Sequence, residues 1–272
     1  MKKYLFLLPL ALIACQSHDV DPLNGSATIH FDVKGFTPIQ TRTAIDESDM
    51  TDLWLFDFVG DNEVQAVHLT DFASTSLNLT YGAHRVCLVA SRGGEPTVDS
   101  NAKTIIWATP RDTFWGDVEL NVVASSNGTS ANVTLNRVAT KLRISITDEV
   151  PDGISKVLVT PNVWYTGISY ETGEAAGEVN AERSINVPSS YVGTSGSLVM
   201  NFFGMSDSGE WMTDLLVKAT DADGNVLGQA TIEDAPFVRN RSTEYSGPLF
   251  GSKSGWSITL NDEWATSYTG TW

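Results

Sequence analysis

Three features of the sequence predict an all-β protein made of two tandem β-sandwich domains. Short runs that alternate apolar and polar residues recur along the chain, turn-formers punctuate them, and no stretch keeps a long helical period. The runs also fall into two series that part near residue 136. A chain of 272 residues has length enough for two domains of ordinary size.

The N-terminus stands outside this pattern. Met1-Lys2-Lys3 is a short basic start, Tyr4 to Ile13 is an apolar run, and Leu12-Ile13-Ala14-Cys15 closes it. This predicts a secretory signal over residues 1–14. The run is too short to span a bilayer, which takes about 20 apolar residues. Leu-Ile-Ala-Cys resembles the lipobox of bacterial lipoproteins, in which the cysteine is acylated and becomes the first mature residue. Cys15 is therefore the predicted lipidation site, and the chain is expected to work beyond a bacterial membrane. Residues 15–26 are polar and read as a tether between lipid and fold. Their acidic character resembles the surface-export signal of Bacteroidetes lipoproteins.

The first sandwich is predicted over residues 27–135. Ile29, Phe31 and Val33 alternate with polar neighbours, the period of a half-buried strand. Leu53-Trp54-Leu55-Phe56-Asp57-Phe58-Val59 is apolar on both faces, as a strand covered from both sides should be. Further strands are predicted over 63–69, 77–81, 85–90, 104–108, 117–123 and 131–135. Gly60-Asp61-Asn62 and Arg92-Gly93-Gly94-Glu95-Pro96 are among the turns between them.

The second sandwich is predicted over residues 136–272. Leu142, Ile144 and Ile146 alternate with Lys141, Arg143 and Ser145, and strands follow over 154–160, 163–170, 184–187, 198–203, 215–219, 226–232 and 256–260. Asp223-Gly224 is the strongest hairpin signal in the chain. The surrounding Asp221-Ala222-Asp223-Gly224-Asn225 lacks the glycine placement and closing glutamate of a calcium loop, so it reads as a turn.

Composition limits the function. The formal charge of −16 argues against nucleic acid and against docking on anionic lipid, both of which need basic surface. The covalent lipid on Cys15 is thus the expected membrane attachment, and no cofactor is expected. Cys87 is then the one remaining thiol, and in Val86-Cys87-Leu88-Val89 it reads as buried and inert. His18, His30, His68 and His84 show no metal-ligand spacing, and no phosphate-binding loop or nucleophile elbow is present. No catalytic or metal-binding residues are assigned, and an enzyme is not expected. Of the eight tryptophans, Trp115, Trp264 and Trp272 lie among polar residues and are the candidates for stacking on a sugar ring.

Several stretches together resemble the fimbrillins of Bacteroidales, most of all their lipid-anchored subunits. They are Ala27-Thr28-Ile29-His30-Phe31-Asp32-Val33 with Thr41-Arg42-Thr43-Ala44, and Arg137-Val138-Ala139-Thr140-Lys141-Leu142-Arg143-Ile144 with Ile146-Thr147-Asp148. Near the C-terminus come Arg239-Asn240-Arg241-Ser242-Thr243, Gly247-Pro248-Leu249-Phe250 and Ile258-Thr259-Leu260-Asn261-Asp262-Glu263-Trp264. The resemblance implies transthyretin-like sandwiches in a surface-exposed outer-membrane fimbrial subunit, with other fimbrial subunits as partners. It also implies contact with host or bacterial surface ligands.

In the stalk subunits of that family an arginine-specific protease removes the first strand, and a neighbour's strand fills the slot. Arg42 lies where such a cut would fall. Anchor subunits keep both first strand and lipid. The polar tail Ala265 to Trp272, with only Tyr268 and Trp272 alternating, is unlike a long donor strand and favours the anchor. A stalk or tip subunit cleaved after Arg42 is the alternative within the family, and a surface glycan-binding lipoprotein is the alternative outside it.

Overall fold

The computed structural model describes residues 25–33, 50–70, 75–180, 182–196, 198–251 and 255–261, and strands are numbered in chain order within them. The fold is all-β, as expected. In the first half β1 (Ser26–Val33) lies between β4 (Ser76–Thr80) and β9 (Thr129–Val133) in a three-stranded sheet. A five-stranded sheet runs β10 (Asn136–Arg137), β8 (Thr113–Val122), β5 (Gly82–Ser91), β2 (Asp52–Val59), β3 (Asn62–Leu69). Ile29 and Phe31 from β1 and Leu77 and Leu79 from β4 share one core cluster with Leu53, Leu55 and Leu88 of the larger sheet.

The two-faced apolarity of β2 now has its reason. Leu53 and Leu55 point into that cluster, while Trp54, Phe56 and Phe58 point the other way into a second one with Ile105, Trp107, Ile168 and Tyr170. The covering sheet on this second side runs β14 (Ala175–Val179), β13 (Trp164–Ser169), β7 (Thr104–Ile106), β6 (Thr97–Asp99). Two of its strands come from each half of the chain, so the halves share a sheet and a core. Gly167 permits the join: a Cβ there would lie 2.3 Å from Ile106 Cδ1 and 2.4 Å from the Ile105 carbonyl oxygen.

The second half packs two four-stranded sheets face to face. One runs β16 (Leu198–Met205), β11 (Ala139–Ile146), β19 (Ser242–Gly247), β20 (Ser257–Asn261); the other runs β15 (Arg183–Asn186), β12 (Lys156–Pro161), β17 (Trp211–Thr220), β18 (Val226–Phe237). Leu142, Ile144, Val157, Val217 and Phe237 meet between them. Asp223-Gly224 turns β17 into β18 as expected. Asp221 accepts the N–H groups of Asp223 and Asn225 and the Asn225 side-chain amide, which together hold its carboxyl below the ordinary value.

Four strands were not legible in the alternation: β6, β10, β14 and β19. The last is the instructive one. Ser-Thr-Glu-Tyr-Ser-Gly looks like loop, yet β19 is parallel to β11 and antiparallel to β20, with Ser242 and Thr243 fully buried. Thr243 satisfies its hydroxyl on the Pro236 carbonyl at 2.5 Å.

Candidate functional site

The seat of the first strand is a distinctive feature of the first half. β1 is antiparallel to β4 (Ser26↔Thr80 to His30↔Ser76) and parallel to β9 (Ile29↔Thr129 to Val33↔Val133). Loops tighten both sides: Phe31 N–H donates to the Thr75 carbonyl, Gly128 N–H to the Thr28 carbonyl, and Thr28 N–H to Asn127 Oδ1. Ala27, Ile29 and Phe31 are each less than 5% exposed, whereas His30 and Asp32 face solvent. Each large side chain seated in this way contributes about 1.5–3 kcal/mol. Without β1 its two neighbours would border a slot one strand wide with an apolar floor. Cys15, Arg42, Trp264 and Trp272 lie outside the described residues. The covalent bond to lipid and the cut after Arg42 therefore have no geometry here.

Beside this seat lies a buried polar pair. His84 Nδ1 is 2.8 Å from Asp57 Oδ1, and its Nε2 is 2.9 Å from the Thr80 carbonyl oxygen and 3.3 Å from Thr80 Oγ1. The arrangement looks like a relay of hydroxyl, imidazole and carboxylate. The carbonyl only accepts, however, so Nε2 carries its proton and is no base toward the Thr80 hydroxyl. The pair is structural: it ties the start of β5 to β2 and to the end of β4. Burial pushes the Asp57 carboxyl above its ordinary value, and the bonds from His84 pull it back. A carboxylate inside a two-faced apolar strand signals a hidden partner in the sequence itself. Which residue would supply it was not readable.

Trp115 does not form an open platform. It is half-buried, its indole N–H donates to the Tyr170 carbonyl at 2.9 Å, and its ring covers Gly173, where a Cβ would lie 2.6 Å from it. Gly173 has φ +72, a conformation that a larger residue would strain. The surrounding contacts clamp the halves together. Lys103 and Arg85 both reach Glu171, Tyr170 donates to Glu63, and the Tyr170 ring stacks on Phe56. Cys87 sits beneath, fully buried, with its thiol pushed up to about 12 by burial.

The separate family-like stretches meet in space. Arg137 donates through Nε and Nη2 to both oxygens of Asp112 at 2.7 and 3.1 Å, and through Nη1 to Asn240 Oδ1 at 2.7 Å. All three residues are buried. Asp148, just past β11, accepts the N–H groups of Leu249, Phe250 and Gly251. Residues 137–148 and 239–250 therefore form one structural unit around the parallel β11–β19 pair.

A cleft of about 630 Å³ opens on one side of the second sandwich, between β18 and β20, each the last strand of its sheet among the described residues. Ile232, Tyr245, Leu249, Trp256 and Ile258 line it, and Glu233 and Asp234 stand on its β18 wall. Among the described residues no group of three acidic, histidine or cysteine side chains could hold a metal ion. No helix among them is long and apolar enough to cross a membrane.

No curated protein matches the sequence. Solved structures share the architecture. A candidate cell adhesion protein from Bacteroides eggerthii is 13% identical, with 89% of this chain and 97% of that one covered at a TM-score of 0.52. A candidate adhesin from Bacteroides thetaiotaomicron gives 11% identity, 90% and 98% coverage and a TM-score of 0.53. A candidate polysaccharide-binding protein from the same species gives 10%, 87%, 96% and 0.56. At such identities the likeness is one of fold. The sequence itself matches one family model over residues 97–271, and the chain belongs to that family, a family of unknown function (DUF6562).

Proposed function

We propose that this chain is a lipid-anchored fimbrial subunit of the bacterial outer membrane, surface-exposed, that joins other subunits by β-strand complementation and serves adhesion rather than catalysis. The observation that carries this reading is the placement of β1. A strand next to the predicted tether occupies the middle of its sheet, so a strand of the same register can replace it with all its main-chain bonds and side-chain pockets. The adhesion names attached to structures of the same fold support it, as do the fimbrillin-like stretches that converge around β11 and β19. In the anchor form Cys15 holds the lipid and β1 stays seated. In the alternative form cleavage after Arg42 frees β1, and the chain builds stalk or tip.

Intact mass and N-terminal sequencing of the protein from its native outer membrane test this. An acylated Cys15 on an uncut chain is the expected result. A chain starting at Thr43 would move the protein to stalk or tip, and an unlipidated chain starting near Cys15 would remove the anchor.

The polysaccharide-binding name of one structural neighbour favours a second reading, glycan recognition. Its test is tryptophan fluorescence titrated with polysaccharide, compared between the native chain and a Trp264→Ala, Trp272→Ala variant. The engaged indole of Trp115 counts against that residue as a sugar platform.

A further inference from the structure

The cleft between β18 and β20 contains an unanswered hydrogen-bonding group. Tyr245 opposes Ile144 of β11 and Ile258 of β20, so its ring faces the inside of the sandwich. It lines the cleft and is only 5% exposed. Its hydroxyl makes no hydrogen bond among the described residues. Burial pushes the phenol up to about 12, so at neutral pH it stays an O–H that can both donate and accept. A buried polar group of this kind calls for a partner.

The walls around it differ in chemistry. Leu249, Trp256 and Ile258 are apolar, and the Trp256 ring is held over Gly247, where a Cβ would lie 2.6 Å from it. On the β18 side Thr213 pairs with Ala235 and Leu215 with Ile232, so Glu233 and Asp234 together oppose Asp214 alone. This bulge is pinned by the Asp234 N–H, which donates to Asp214 Oδ1 at 3.0 Å, and it leaves both carboxylates exposed at the cleft. The volume of about 630 Å³ lies in the usual range for small-molecule sites, about 300–1,000 Å³. At Gly228 the cleft closes, since a Cβ there would lie 2.5 Å from the Leu249 carbonyl oxygen. An added peptide strand needs a long, regular edge, and the bulge and the closed end deny it one. A sugar ring finds what it needs here: an apolar wall for its face and acceptors for its hydroxyls. Glu233 and Asp234, in a chain of charge −16, would repel an acidic sugar.

We propose that this cleft binds a terminal neutral sugar of a glycan, its ring against Trp256 and Ile258, one hydroxyl on Tyr245 and others on Glu233 and Asp234. The inference deepens the glycan reading above and rests on it, but moves the contact from Trp264 and Trp272 into the second sandwich.

Affinity electrophoresis of the mature full-length chain through gels containing dextran, mannan or polygalacturonate tests it. The native chain should be retarded by at least one of the two neutral polysaccharides and not by polygalacturonate. Tyr245→Phe should weaken that retardation about five- to tenfold, the loss of one hydrogen bond. Its thermal midpoint should stay level or rise, because the substitution removes only an unpaired hydroxyl; a lowered midpoint would assign the hydroxyl to the fold and overturn the proposal. Trp264→Ala with Trp272→Ala should leave the retardation unchanged. Retardation that survives Tyr245→Phe but is lost with the Trp264, Trp272 pair would overturn the cleft while glycan recognition stands. No retardation by either neutral polysaccharide would overturn both. Equal retardation by polygalacturonate would overturn the neutral-sugar assignment, and association that grows with protein concentration without glycan and is lost in Tyr245→Phe would place a second copy in the cleft instead.

Discussion

The first and last strands of the described fold, β1 and β20, sit in opposite circumstances. β1 is central, bonded on both edges, with its inward side chains almost wholly covered. β20 is bonded to β19 alone among the described residues, with Ile258 half exposed. Both carry alternating apolar residues, so sequence period alone does not separate them. What separates them is what the rest of the chain brings to the other side. β1 meets strands that bond it on both edges, whereas Ile258 of β20 is left half uncovered. A fold that exchanges strands would show the larger energetic consequence at β1, and a fold that merely caps an edge would show the smaller one at β20.

The widest contrast comes from charge placed on each strand. Ile29→Asp with Phe31→Asp buries two unpaired carboxylates, and losing a buried Phe to Ala alone costs about 3–5 kcal/mol. A domain has only about 5–15 kcal/mol in total, so the first half is expected to lose cooperative folding. An aspartate pair in β20, Ser257→Asp with Ile258→Asp, one on each face and both exposed, is expected to keep a folded protein with a small shift. Urea denaturation followed by circular dichroism decides; equal losses from the two pairs would erase the distinction.

Next in size is the lock between the halves. Asp112→Ala removes the carboxylate that pairs with the buried Arg137 guanidinium, and breaking a buried pair in this way costs about 3–5 kcal/mol. Asp148→Ala, by contrast, frees N–H groups near the surface, and a cost of about 1–2 kcal/mol is expected. If Asp112→Ala proved the milder of the two in thermal denaturation, the Arg137 cluster would not be the joint between the halves.

The pair beside the β1 seat gives a smaller effect with a pH signature. His84→Ala removes the ring that bonds both Asp57 and the Thr80 carbonyl, at about 1–3 kcal/mol. Burial raises the Asp57 carboxyl above its ordinary 3.8, so the fold favours the protonated form. Its contribution to stability is therefore full below pH 3.8 and is lost as pH rises through the folded value. Asp57→Asn should flatten the stability profile in that window. A profile unchanged by Asp57→Asn would mean that the carboxyl is not perturbed in the fold.

Much of this architecture was legible in the residues, and the exceptions share a cause. Alternation reports half-burial, so β1 and β11 stood out, and β2 stood out by apolarity on both faces. Polar residues buried by long-range partners give no such signal. β19 hides because Ser242 and Thr243 are sealed in the middle of a sheet. β7 was expected over 104–108, but its hairpin partner β6 hides because Thr97, Val98 and Asp99 are all exposed. Asp57 was read as part of a strand apolar on both faces, and nothing local named His84. Trp115 misled for the opposite reason: polar neighbours in sequence suggested exposure, while Tyr170 and Gly173 came from the other half to cover it. The motifs at 137–148 and 239–250 were readable one by one. Their function as a single joint required the parallel pairing of β11 with β19.

The finest probe of the contrast uses the buried thiol of the first half. Cys87 is fully covered, and burial pushes it up to about 12 from an ordinary 9.0. The thiolate is the reactive form, so at pH 8 the folded protein offers almost none of it. A thiol-reactive disulfide reagent should label Cys87 only when the first half opens, at a rate far below that of the urea-unfolded chain. Amides of β20 should exchange long before that labelling is complete. The linkage has a definite sign: the raised value favours the neutral thiol in the fold, so its share of stability is intact below pH 9.0 and is lost as pH climbs through about 12. Cys87→Ala should remove that alkaline loss at a neutral-pH cost of about 1 kcal/mol, the scale of a small core truncation. Rapid labelling of the native chain at pH 8 would mean that the first half opens as readily as the edge at β20, and the distinction between the two strands would fall.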